Sequence, residues 1–315
     1  MSNNSEFEII SSLDQIFDSP ARKKKPIKES FRLSIIQDQW HGSIERQKEK
    51  LFECIEILSP LKPDLVVFQE LTLSPYACTV PRSEDTTWQP EELTSGETFI
   101  FANEIAKQLK THVVVSLYES PGESDPNDAI GFNTAITVSP TGDLLMRTRK
   151  THLPVTAGYF ENTYFSNGED GTPNVKINDL LLGTPTCWDQ WFPELARAYA
   201  LTGADLLTYP TAIGSEPDHP DFDTSDIWQK VMISHGIANG LFIAAPNRIG
   251  TENGIRFYGN SFISDPYGRV LVKADSESRC ILISDLDLDQ RRDWLELFPF
   301  FETRRPENYS VLTNG

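Results

Sequence analysis

Three reactive side chains each follow an apolar stretch that is typical of a buried strand. Glu70 ends the run LVVFQE, Lys150 follows LLMRTR, and Cys187 follows LLLGTPT. Because ligands collect beyond the carboxyl ends of strands in α/β sheets, we expect these side chains to share one site. Taken singly, each has an ordinary structural explanation: a helix cap or surface anion, a solvated lysine, and a small core residue. Together they supply a base, a cation and a nucleophile.

A carboxylate, an ammonium and a thiol in one cavity can attack a carbonyl or nitrile carbon. A thiol is mostly protonated at neutral pH, so Cys187 needs a base or a positive field. We predict that Glu70 takes the thiol proton and returns it to a leaving amine, while Lys150 stabilises the oxyanion. The backbone N–H of Trp188, the next residue, is the predicted second oxyanion donor. Pro193 indicates a helix start near Cys187, whose positive end would favour the thiolate.

The sequence indicates neither a metal site nor a disulfide framework. The four cysteines include no CxxC pair, and the five histidines have no HExxH or similar ligand spacing. We therefore predict no metal and no cofactor. A cysteine–histidine hydrolase that uses His152 or His235 stays open as an alternative. Cys54 and Cys280 fit packing positions and Cys78 fits a loop, so we expect these three to be non-catalytic.

Composition places the chain among globular proteins, and its acidity bears on the class of ligand. The chain has 315 residues, of which 39% are hydrophobic and 23% charged, and its formal net charge is −18. This acidity argues against a nucleic-acid partner and favours a neutral or cationic ligand. No apolar run reaches the roughly 20 residues of a membrane-spanning helix, and we recognise no signal peptide. We therefore expect a cytoplasmic enzyme without a membrane partner.

Apolar periodicity predicts alternating helices and strands. Helical spacing covers residues 43–58, 97–110, 193–202 and 225–239. Strand patterns cover residues 31–38, 64–70, 111–119, 180–184, 205–209, 241–245 and 278–286. Turn signals at 140–143 and 266–268 predict two hairpins. Since hairpins interrupt the parallel alternation, we expect an α/β fold with mixed sheets covered by helices.

Residues 1–30 differ from the rest of the chain. They are rich in Ser, Asn and Lys, and their five basic and five acidic residues cancel, so residues 31–315 carry the whole charge of −18. We predict that residues 1–30 form a flexible N-terminal tail whose basic cluster is solvated. With no internal repeat and no linker after it, residues 31–315 are predicted to form a single domain.

Longer stretches of the sequence resemble one known family. The motifs FQE at 68–70, RKTHLP at 149–154, CWDQWFPELARAYALTGADLLTYPTAIGSEP at 187–217 and NRIG at 247–250 are similar to those of the nitrilase superfamily of carbon–nitrogen hydrolases. The resemblance runs from about residue 31 to about residue 309. CWDQWFPE and YPTAIGSEP resemble in particular the N-carbamoylputrescine amidases. The resemblance implies a nitrilase-like α-β-β-α sandwich that pairs across protomers into a homo-oligomer built from dimers.

The resemblance also implies a role for each reactive residue. Glu70 would be the general base, Lys150 the oxyanion stabiliser and Cys187 the nucleophile of a Glu–Lys–Cys triad. Glu161, in GYFENTYF, matches a second family glutamate that orients the lysine or positions substrate and water; on residue type alone it would be a loop anion. The implied reaction is thiol-dependent hydrolysis of a non-peptide C–N bond. N-carbamoylputrescine would give putrescine, ammonia and carbon dioxide, a step of polyamine biosynthesis.

Residues next to the predicted nucleophile bear on the substrate. Relatives that cleave carbamoyl amino acids carry arginines shortly after the cysteine, whereas this chain has Asp189 and Gln190. We therefore expect a cationic carbamoyl amine, held by Asp189, Glu216 or Asp218; a helix-capping carboxylate is the equal alternative for Asp189. Aromatic side chains here would line an apolar sleeve or belong to the core. The other residues predicted to bind substrate are Trp191, Tyr76, Thr211 and Ala212.

Two departures from the family pattern leave alternatives open. Pro185 stands just before Thr186 and the nucleophile, so the preceding strand is predicted to end early or bulge. The segment after Glu70 differs from the corresponding family loop, which walls the pocket. An amidase or ω-amidase acting on another small linear amide or ureido compound is therefore the alternative function. A catalytically silent binding protein of the same fold is the alternative of another class.

Overall fold

The computed structural model describes residues 7–122 and 130–313. The α-helices are α1 (Ile44–Leu58), α2 (Glu97–Leu109), α3 (Pro193–Leu201), α4 (Ser225–Asn239) and α5 (Asp289–Leu297). The strands are β1 (Glu8–Ser11), β2 (Phe31–Gln37), β3 (Leu65–Val67), β4 (His112–Glu119), β5 (Phe132–Val138), β6 (Leu144–Arg149), β7 (Asn174–Ile177), β8 (Leu180–Gly183), β9 (Leu206–Thr208), β10 (Phe242–Ala245), β11 (Ile249–Glu252), β12 (Ile255–Tyr258), β13 (Phe262–Ser264), β14 (Val270–Lys273) and β15 (Cys280–Leu286). Within these two ranges, every helix is too short or too polar to cross a membrane.

Most strands belong to two mixed sheets. Across the described ranges, seven strands form one sheet in the order β1-β15-β2-β3-β4-β5-β6, and six form the other in the order β14-β13-β10-β9-β8-β7. The pairs β2–β3, β3–β4, β8–β9 and β9–β10 are parallel, and antiparallel pairs flank them on both sides. β11 and β12 pair separately as a hairpin. The prediction of mixed sheets is confirmed.

Apolar side chains join the two sheets face to face and attach the helices outside them. Leu65 of β3 packs in one buried cluster with Leu206 of β9 and Phe242 of β10. The outer face of the first sheet packs against α1 and α2. The outer face of the second sheet packs against α3 and α4. The resulting order of layers is the α-β-β-α sandwich expected from the sequence.

Capping and apolar spacing explain where the helices begin and end. The Ser43 side chain accepts a hydrogen bond from the Arg46 N–H at 3.3 Å, which begins α1. Leu51 and Ile55 lie four residues apart on the same face of α1 and are fully buried. α4 ends where Gly240 adopts a φ of 63°, a left-handed conformation that glycine accepts at little cost. The four predicted helices are confirmed to within one residue at each end, whereas α5 was not predicted.

Strand predictions differ from the structure mainly where the chain approaches the reactive residues. The predicted strand 64–70 narrows to Leu65–Val67, so Glu70 stands in the loop beyond it. β8 ends before Pro185, as the missing N–H of proline predicts. The two predicted hairpins are confirmed as β5–β6 and β13–β14. Strands β1, β7, β11 and β12 were not predicted.

Residues 7–30 lie against the body of the protein, which departs from the predicted flexible tail. β1 pairs in parallel with β15 at the edge of the seven-stranded sheet, and Phe7 beside it is buried. Arg22 forms an ion pair with Asp293 at 2.9 Å. The composition of this segment is that of a solvated tail, but strand β1 and Arg22 meet partners near the other end of the chain. Such partners leave no local pattern in the sequence.

Replacing Asp289 should loosen this N-terminal segment. The buried Asp289 carboxylate accepts hydrogen bonds from the N–H groups of Ile27 and Lys28 at 2.8 and 2.9 Å. Asp289→Ala removes the acceptor of both donors, which costs about 1–3 kcal/mol. Because local opening then becomes easier, trypsin should cleave after the basic residues 22–24 about tenfold faster or more. Timed digestion followed by mass spectrometry measures the cleavage rate.

Glu296→Ala is the matched control for this prediction. It removes an exposed carboxylate that pairs with Lys24 of the same segment. An exposed ion pair contributes little to stability, so the cleavage rate should stay that of the wild type. Equal rates in Asp289→Ala and the wild type would show that the segment is not held in this way.

Candidate active site

The two sheets bring the three predicted catalytic residues to one place. Glu70 lies beyond β3, Lys150 directly follows β6, and Cys187 lies beyond β8. The Lys150 Nζ is 2.8 Å from the Glu70 Oε1. Both of these charged groups act electrostatically on the Cys187 thiol. All three side chains are buried, and Cys187 keeps an exposed fraction of 4%.

Glu161 completes a charged cluster with Lys150 at its centre. Both Glu161 carboxylate oxygens accept hydrogen bonds from the Lys150 Nζ, at 2.8 and 2.7 Å. The Tyr76 hydroxyl donates to the Glu161 Oε1 at 2.7 Å. The Asn133 Nδ2 donates to the Glu70 Oε1 at 2.7 Å and, at 3.4 Å, to the Glu161 Oε2. One ammonium therefore stands between two carboxylates that an amide also bridges.

Burial and charge set the protonation of this cluster. Burial by itself lowers the pKa of Lys150, but Glu161 and Glu70 outweigh it and raise that pKa well above its usual range. Lys150 therefore stays an ammonium. Burial raises the pKa of Glu161 to about 7, because the nearby Glu70 charge adds to the effect and Lys150 offsets only part of it. One ammonium balances one carboxylate, so the cluster takes up a further proton near neutral pH.

Glu70 keeps one carboxylate oxygen available for chemistry. Its Oε1 accepts hydrogen bonds from Lys150 and Asn133. Its Oε2 is buried and has no hydrogen-bond partner in the part of the chain that the structure describes. Buried acceptors without a partner are rare in folded proteins because they are costly. An unpaired oxygen on a carboxylate whose charge acts on the Cys187 thiol suits a general base.

Cys187 stands at the start of a strained turn. Its φ is +42°, a left-handed conformation that residues other than glycine seldom adopt. It begins a short 3₁₀ helix that ends at Trp191. The Cys187 N–H donates to the Pro210 carbonyl at 2.9 Å, and the Ala212 N–H is directed at the sulfur. The loops after β8 and β9 therefore fix the nucleophile together.

The expectation that a helix dipole ionises the thiol is wrong. α3 begins only at Pro193, beyond the short turn that carries Cys187, and a helix dipole acts mainly within its first turn. Burial and then the Glu70 charge raise the pKa of the Cys187 thiol well above its usual range, whereas Lys150 and the Ala212 N–H lower it. The resting thiol therefore keeps its proton. A base is needed to make it a nucleophile.

Trp188, the predicted backbone oxyanion donor, directly follows Cys187 in the chain. It is the second residue of the 3₁₀ helix that begins at Cys187. N–H groups in the first turn of a helix have no acceptor within that helix. We expect this N–H and the Lys150 ammonium to be the oxyanion donors, whereas the Ala212 N–H is directed at the sulfur itself.

Asp189 has a structural position. It is buried, and its carboxylate accepts hydrogen bonds from the Thr186 N–H at 3.1 Å and from the His152 N–H at 2.9 Å. The His152 ring Nδ1 is a third partner at 2.8 Å. These contacts connect the segment after Lys150 to the segment before Cys187. They support the capping alternative for Asp189 rather than the predicted contact with substrate.

The other residues predicted to bind substrate have different surroundings. Tyr76 and Ala212 reach the reacting groups through the contacts described above. Thr211 is buried, and its hydroxyl donates to the Tyr209 carbonyl at 2.7 Å. Trp191 packs against Trp188 with ring centroids 6.4 Å apart. Tyr76 and Ala212 are thus the members of this set that touch the cluster or the sulfur.

Neither candidate histidine takes the place of the base. His152 is bound to Asp189, and the buried His235 Nε2 contacts the Gln190 carbonyl at 2.9 Å. Neither ring forms a recorded hydrogen bond with Cys187 within the described ranges, so the cysteine–histidine alternative finds no support. Residues 7–122 and 130–313 also contain no group of three or more His, Cys, Asp or Glu side chains that could hold a metal ion.

Asn133 is the cluster residue that sequence analysis missed. The Lys150 N–H donates to the Asn133 carbonyl at 2.7 Å, because β5 and β6 pair in antiparallel register. A hairpin centred on the predicted turn at 140–143 already places residue 133 opposite residue 150. This strand register could have identified Asn133 from the sequence as a neighbour of Lys150.

Comparisons with known proteins point to one family and one fold. A family model described as carbon–nitrogen hydrolase matches residues 32–296. An N-carbamoylputrescine amidase of Arabidopsis thaliana is 36% identical over 257 residues, which cover 79% of this chain and 84% of the relative. A citrullinase of Francisella tularensis is 37% identical over 225 residues, covering 66% of this chain and 78% of the relative. The crystal structure of a carbon–nitrogen hydrolase from Helicobacter pylori matches with a TM-score of 0.82 at 29% identity, covering 91% of this chain and 99% of that chain.

A small electrophile should label Cys187 selectively, and faster as the pH rises. Cys187 keeps some exposure, whereas Cys54, Cys78 and Cys280 are fully buried. Because burial raises the pKa of the Cys187 thiol, the labelling rate should still be rising above about pH 8.5, the ordinary pKa of a free thiol. Timed reaction with iodoacetamide and peptide mass spectrometry measure the site and the rate. Cys187→Ala is the control, and a plateau near pH 7 would instead indicate a preformed thiolate.

Glu161→Gln should gain stability relative to the wild type as the pH rises from 5 to 7. The pKa of Glu161 is raised in the folded protein, so the folded state binds more protons than the unfolded chain in this window and loses stability as the pH rises through it. The glutamine side chain is neutral at every pH, so the variant does not undergo this loss. Urea unfolding at both pH values should show a relative gain of about 1–3 kcal/mol.

The exposed Glu169 provides the control for this pH effect. Glu169→Gln removes a carboxylate that is not buried, so its difference from the wild type should not change between pH 5 and 7. If the difference in unfolding free energy between Glu161→Gln and the wild type were also the same at pH 5 and pH 7, this result would contradict the raised pKa of Glu161.

Proposed function

Since the chain belongs to the carbon–nitrogen hydrolase family, we propose that it hydrolyses the ureido group of a carbamoylated diamine, with N-carbamoylputrescine as substrate. The observation that carries the proposed chemistry is the Lys150 ammonium between two carboxylates, one of which keeps an unpaired oxygen near the Cys187 thiol. The products are putrescine, ammonia and carbon dioxide, which makes the reaction a step of polyamine formation. The same cluster argues against a catalytically silent protein.

The first half of the reaction forms a covalent adduct. The Glu70 Oε2 takes the thiol proton, and the sulfur of Cys187 attacks the ureido carbon. The carbonyl electrons move to oxygen, where the Lys150 ammonium and the Trp188 N–H stabilise the negative charge. The tetrahedral intermediate collapses, and the terminal nitrogen leaves as ammonia with the proton from Glu70. The substrate amine stays attached through its carbonyl to the sulfur.

The second half releases the amine. Glu70 takes a proton from a water molecule, and the resulting hydroxide attacks the carbonyl carbon of the adduct. The carbon–sulfur bond breaks, and the proton on Glu70 returns to the sulfur of Cys187. The released carbamic acid breaks down to carbon dioxide and the free amine. In both halves Glu161 keeps Lys150 oriented through two hydrogen bonds.

Glu216 is the carboxylate that we assign to the distal ammonium of the substrate. It is half-buried, burial raises its pKa, and it forms no ion pair in the part of the chain that the structure describes. The hydroxyls of Tyr159 and Tyr258 interact electrostatically with Glu216, and the same two hydroxyls interact with the Cys187 thiol. A carboxylate that is partly desolvated near the nucleophile favours a cationic partner. Asp218, the other candidate, is exposed.

Citrulline is the second candidate substrate, and the similarity to a citrullinase favours it. Citrulline carries the same ureido group but ends in an ammonium and a carboxylate. A substrate carboxylate needs a cation, and the buried Lys150 and Arg248 are already paired with Glu161 and Glu252. Because neither of these two cations is free to bind a substrate carboxylate, the site favours the carbamoylated diamine over citrulline. Small linear amides and ω-amides remain the alternatives among substrates without a ureido group.

We also infer a homo-oligomer built from dimers and a cytoplasmic location. Leu201, Ile227 and Ile237 are exposed on α3 and α4, which suits an apolar contact between protomers. The four cysteines are free thiols, which suits a reducing compartment.

Glu216→Gln should remove the preference for a cationic substrate. For N-carbamoylputrescine, kcat/KM should fall about 10- to 100-fold, because the ammonium loses a charged partner. For N-butylurea, which has the same chain length but no amine, kcat/KM should change little. Ammonia release from both compounds, from N-carbamoyl-β-alanine, from citrulline and from short amides measures the preference.

Asp221→Asn is the matched control, since it neutralises an exposed carboxylate in the loop that follows Glu216. Its substrate preference should stay that of the wild type. A wild-type preference for N-carbamoyl-β-alanine or citrulline would refute the cationic-substrate proposal. Full turnover by Cys187→Ala would refute the assignment of the whole site.

A further inference from the structure

An irregular loop carries two members of the charged cluster. This loop, residues 70–76, is called the base loop here. Glu70 at its start binds Lys150, and Tyr76 at its end donates to Glu161. Leu71 has a φ of +51°, so the loop leaves β3 through a left-handed residue other than glycine. Regular sheet pairing does not hold such a segment, so its backbone groups need other partners.

A single buried arginine supplies several of those partners. The Arg248 Nη2 donates to the carbonyl oxygens of Glu70, Leu71 and Ser74, at 3.1, 3.0 and 3.0 Å. The exposed fraction of Arg248 is 1%. A guanidinium suits this position because its donors have a fixed planar geometry that a lysine does not offer.

Glu252 extends this contact to the other end of the base loop. Its Oε1 pairs with the Arg248 Nη1 at 2.6 Å. Its Oε2 accepts a hydrogen bond from the Tyr76 N–H at 2.8 Å. The Arg248–Glu252 ion pair therefore holds both ends of the base loop: Glu70, which has the unpaired carboxylate oxygen, and Tyr76, which donates to Glu161.

The ion pair belongs to a hairpin that also supports the proposed substrate side. Arg248 precedes β11, and Glu252 ends it. On the other strand, β12, Phe257 pairs with Gly214, and the Arg256 carbonyl accepts a hydrogen bond from the Ser215 N–H at 2.8 Å. Residues 214 and 215 lead directly to residue 216. The β11–β12 hairpin thus contacts both the base loop and the segment that carries Glu216, the carboxylate proposed to bind the substrate ammonium.

We propose that Arg248 and Glu252 are a positioning pair for the reaction, which holds the base loop so that the Glu70 Oε2 and Glu161 keep their places relative to Cys187. This inference rests on the proposed role of Glu70 as general base. Neither residue touches the substrate in this proposal; both act through the backbone of the base loop. A displacement of about 1 Å in such an arrangement can reduce turnover on the order of 10²-fold.

The test compares Arg248→Lys and Glu252→Gln with a half-buried arginine that makes similar contacts elsewhere. Arg291 also donates to three carbonyl oxygens, those of Ala200, Asn239 and Gly240, but it lies on α5 and contacts none of the cluster residues described above. In Arg248→Lys and Glu252→Gln, kcat should fall about 10- to 100-fold with little change in KM. In Arg291→Lys, stability should fall while kcat stays that of the wild type. Urea unfolding and steady-state kinetics give both quantities.

Alkylation of Cys187 provides a readout that needs no substrate. Burial and then the Glu70 carboxylate raise the pKa of the Cys187 thiol, so moving that carboxylate away should lower the thiol pKa and shift the rise of the iodoacetamide reaction to lower pH. Glu252→Gln keeps the size of the side chain and serves if Arg248→Lys does not fold. If the wild type turns over no carbamoyl compound, the substrate proposal fails, but the alkylation profiles still test the positioning pair.

Two results would overturn the positioning role. One is an unchanged kcat and an unchanged alkylation profile in a folded Glu252→Gln protein. The other is an equal loss of kcat in Arg291→Lys, because the effect would then follow from the loss of any arginine that binds several backbone carbonyls.

Discussion

The rest of this structure depends on one buried ammonium that must be balanced by carboxylates. Removing an ammonium such as that of Lys150 from water costs on the order of several kcal/mol unless it is paired and hydrogen-bonded. Glu70 and Glu161 supply those partners from two different loops, so one charge determines how three segments of the chain meet. Two carboxylates exceed what one ammonium balances. Burial, together with the second carboxylate, raises the pKa of Glu161, and Glu70 keeps an oxygen without a hydrogen-bond partner among the described residues.

Strained backbone surrounds the reacting groups and is held by specific donors and acceptors. Leu71 and Cys187 both adopt positive φ angles. The Leu71 N–H donates to the Ser116 hydroxyl at 3.1 Å, and the Cys187 N–H donates to the Pro210 carbonyl at 2.9 Å. Strain of about 1–3 kcal/mol at such a residue persists only when its surroundings fix it. The site is therefore assembled before substrate arrives, which reduces the reorganisation that the reaction needs.

Most of the fold could be predicted because its signals are local. The helices at 44–58 and 225–239 follow from apolar spacing and caps within the helix itself. Strand β1 and the hairpin β11–β12 could not be predicted in the same way, because these strands are short and carry weak alternation. β1 is ordered by β15, which lies about 270 residues later. Pairing over that separation depends on the folded sheet and leaves no trace in a short window of sequence.

The sequence alone singled out Glu70, Lys150 and Cys187, because reactive residue types at strand ends are local features, whereas Glu161 entered only through the resemblance of its motif to the family. The sequence also indicated the chemistry, since a carboxylate, an ammonium and a thiol have defined capabilities wherever they meet. The tertiary structure added what depends on contacts between distant segments. It showed that the Asn133 amide bridges the two glutamates, that the Asp189 carboxylate binds backbone N–H groups, and that burial raises the pKa of the Cys187 thiol so that it keeps its proton. Hydrogen-bond partners and burial determine these properties, and both exist only once the two sheets have packed together.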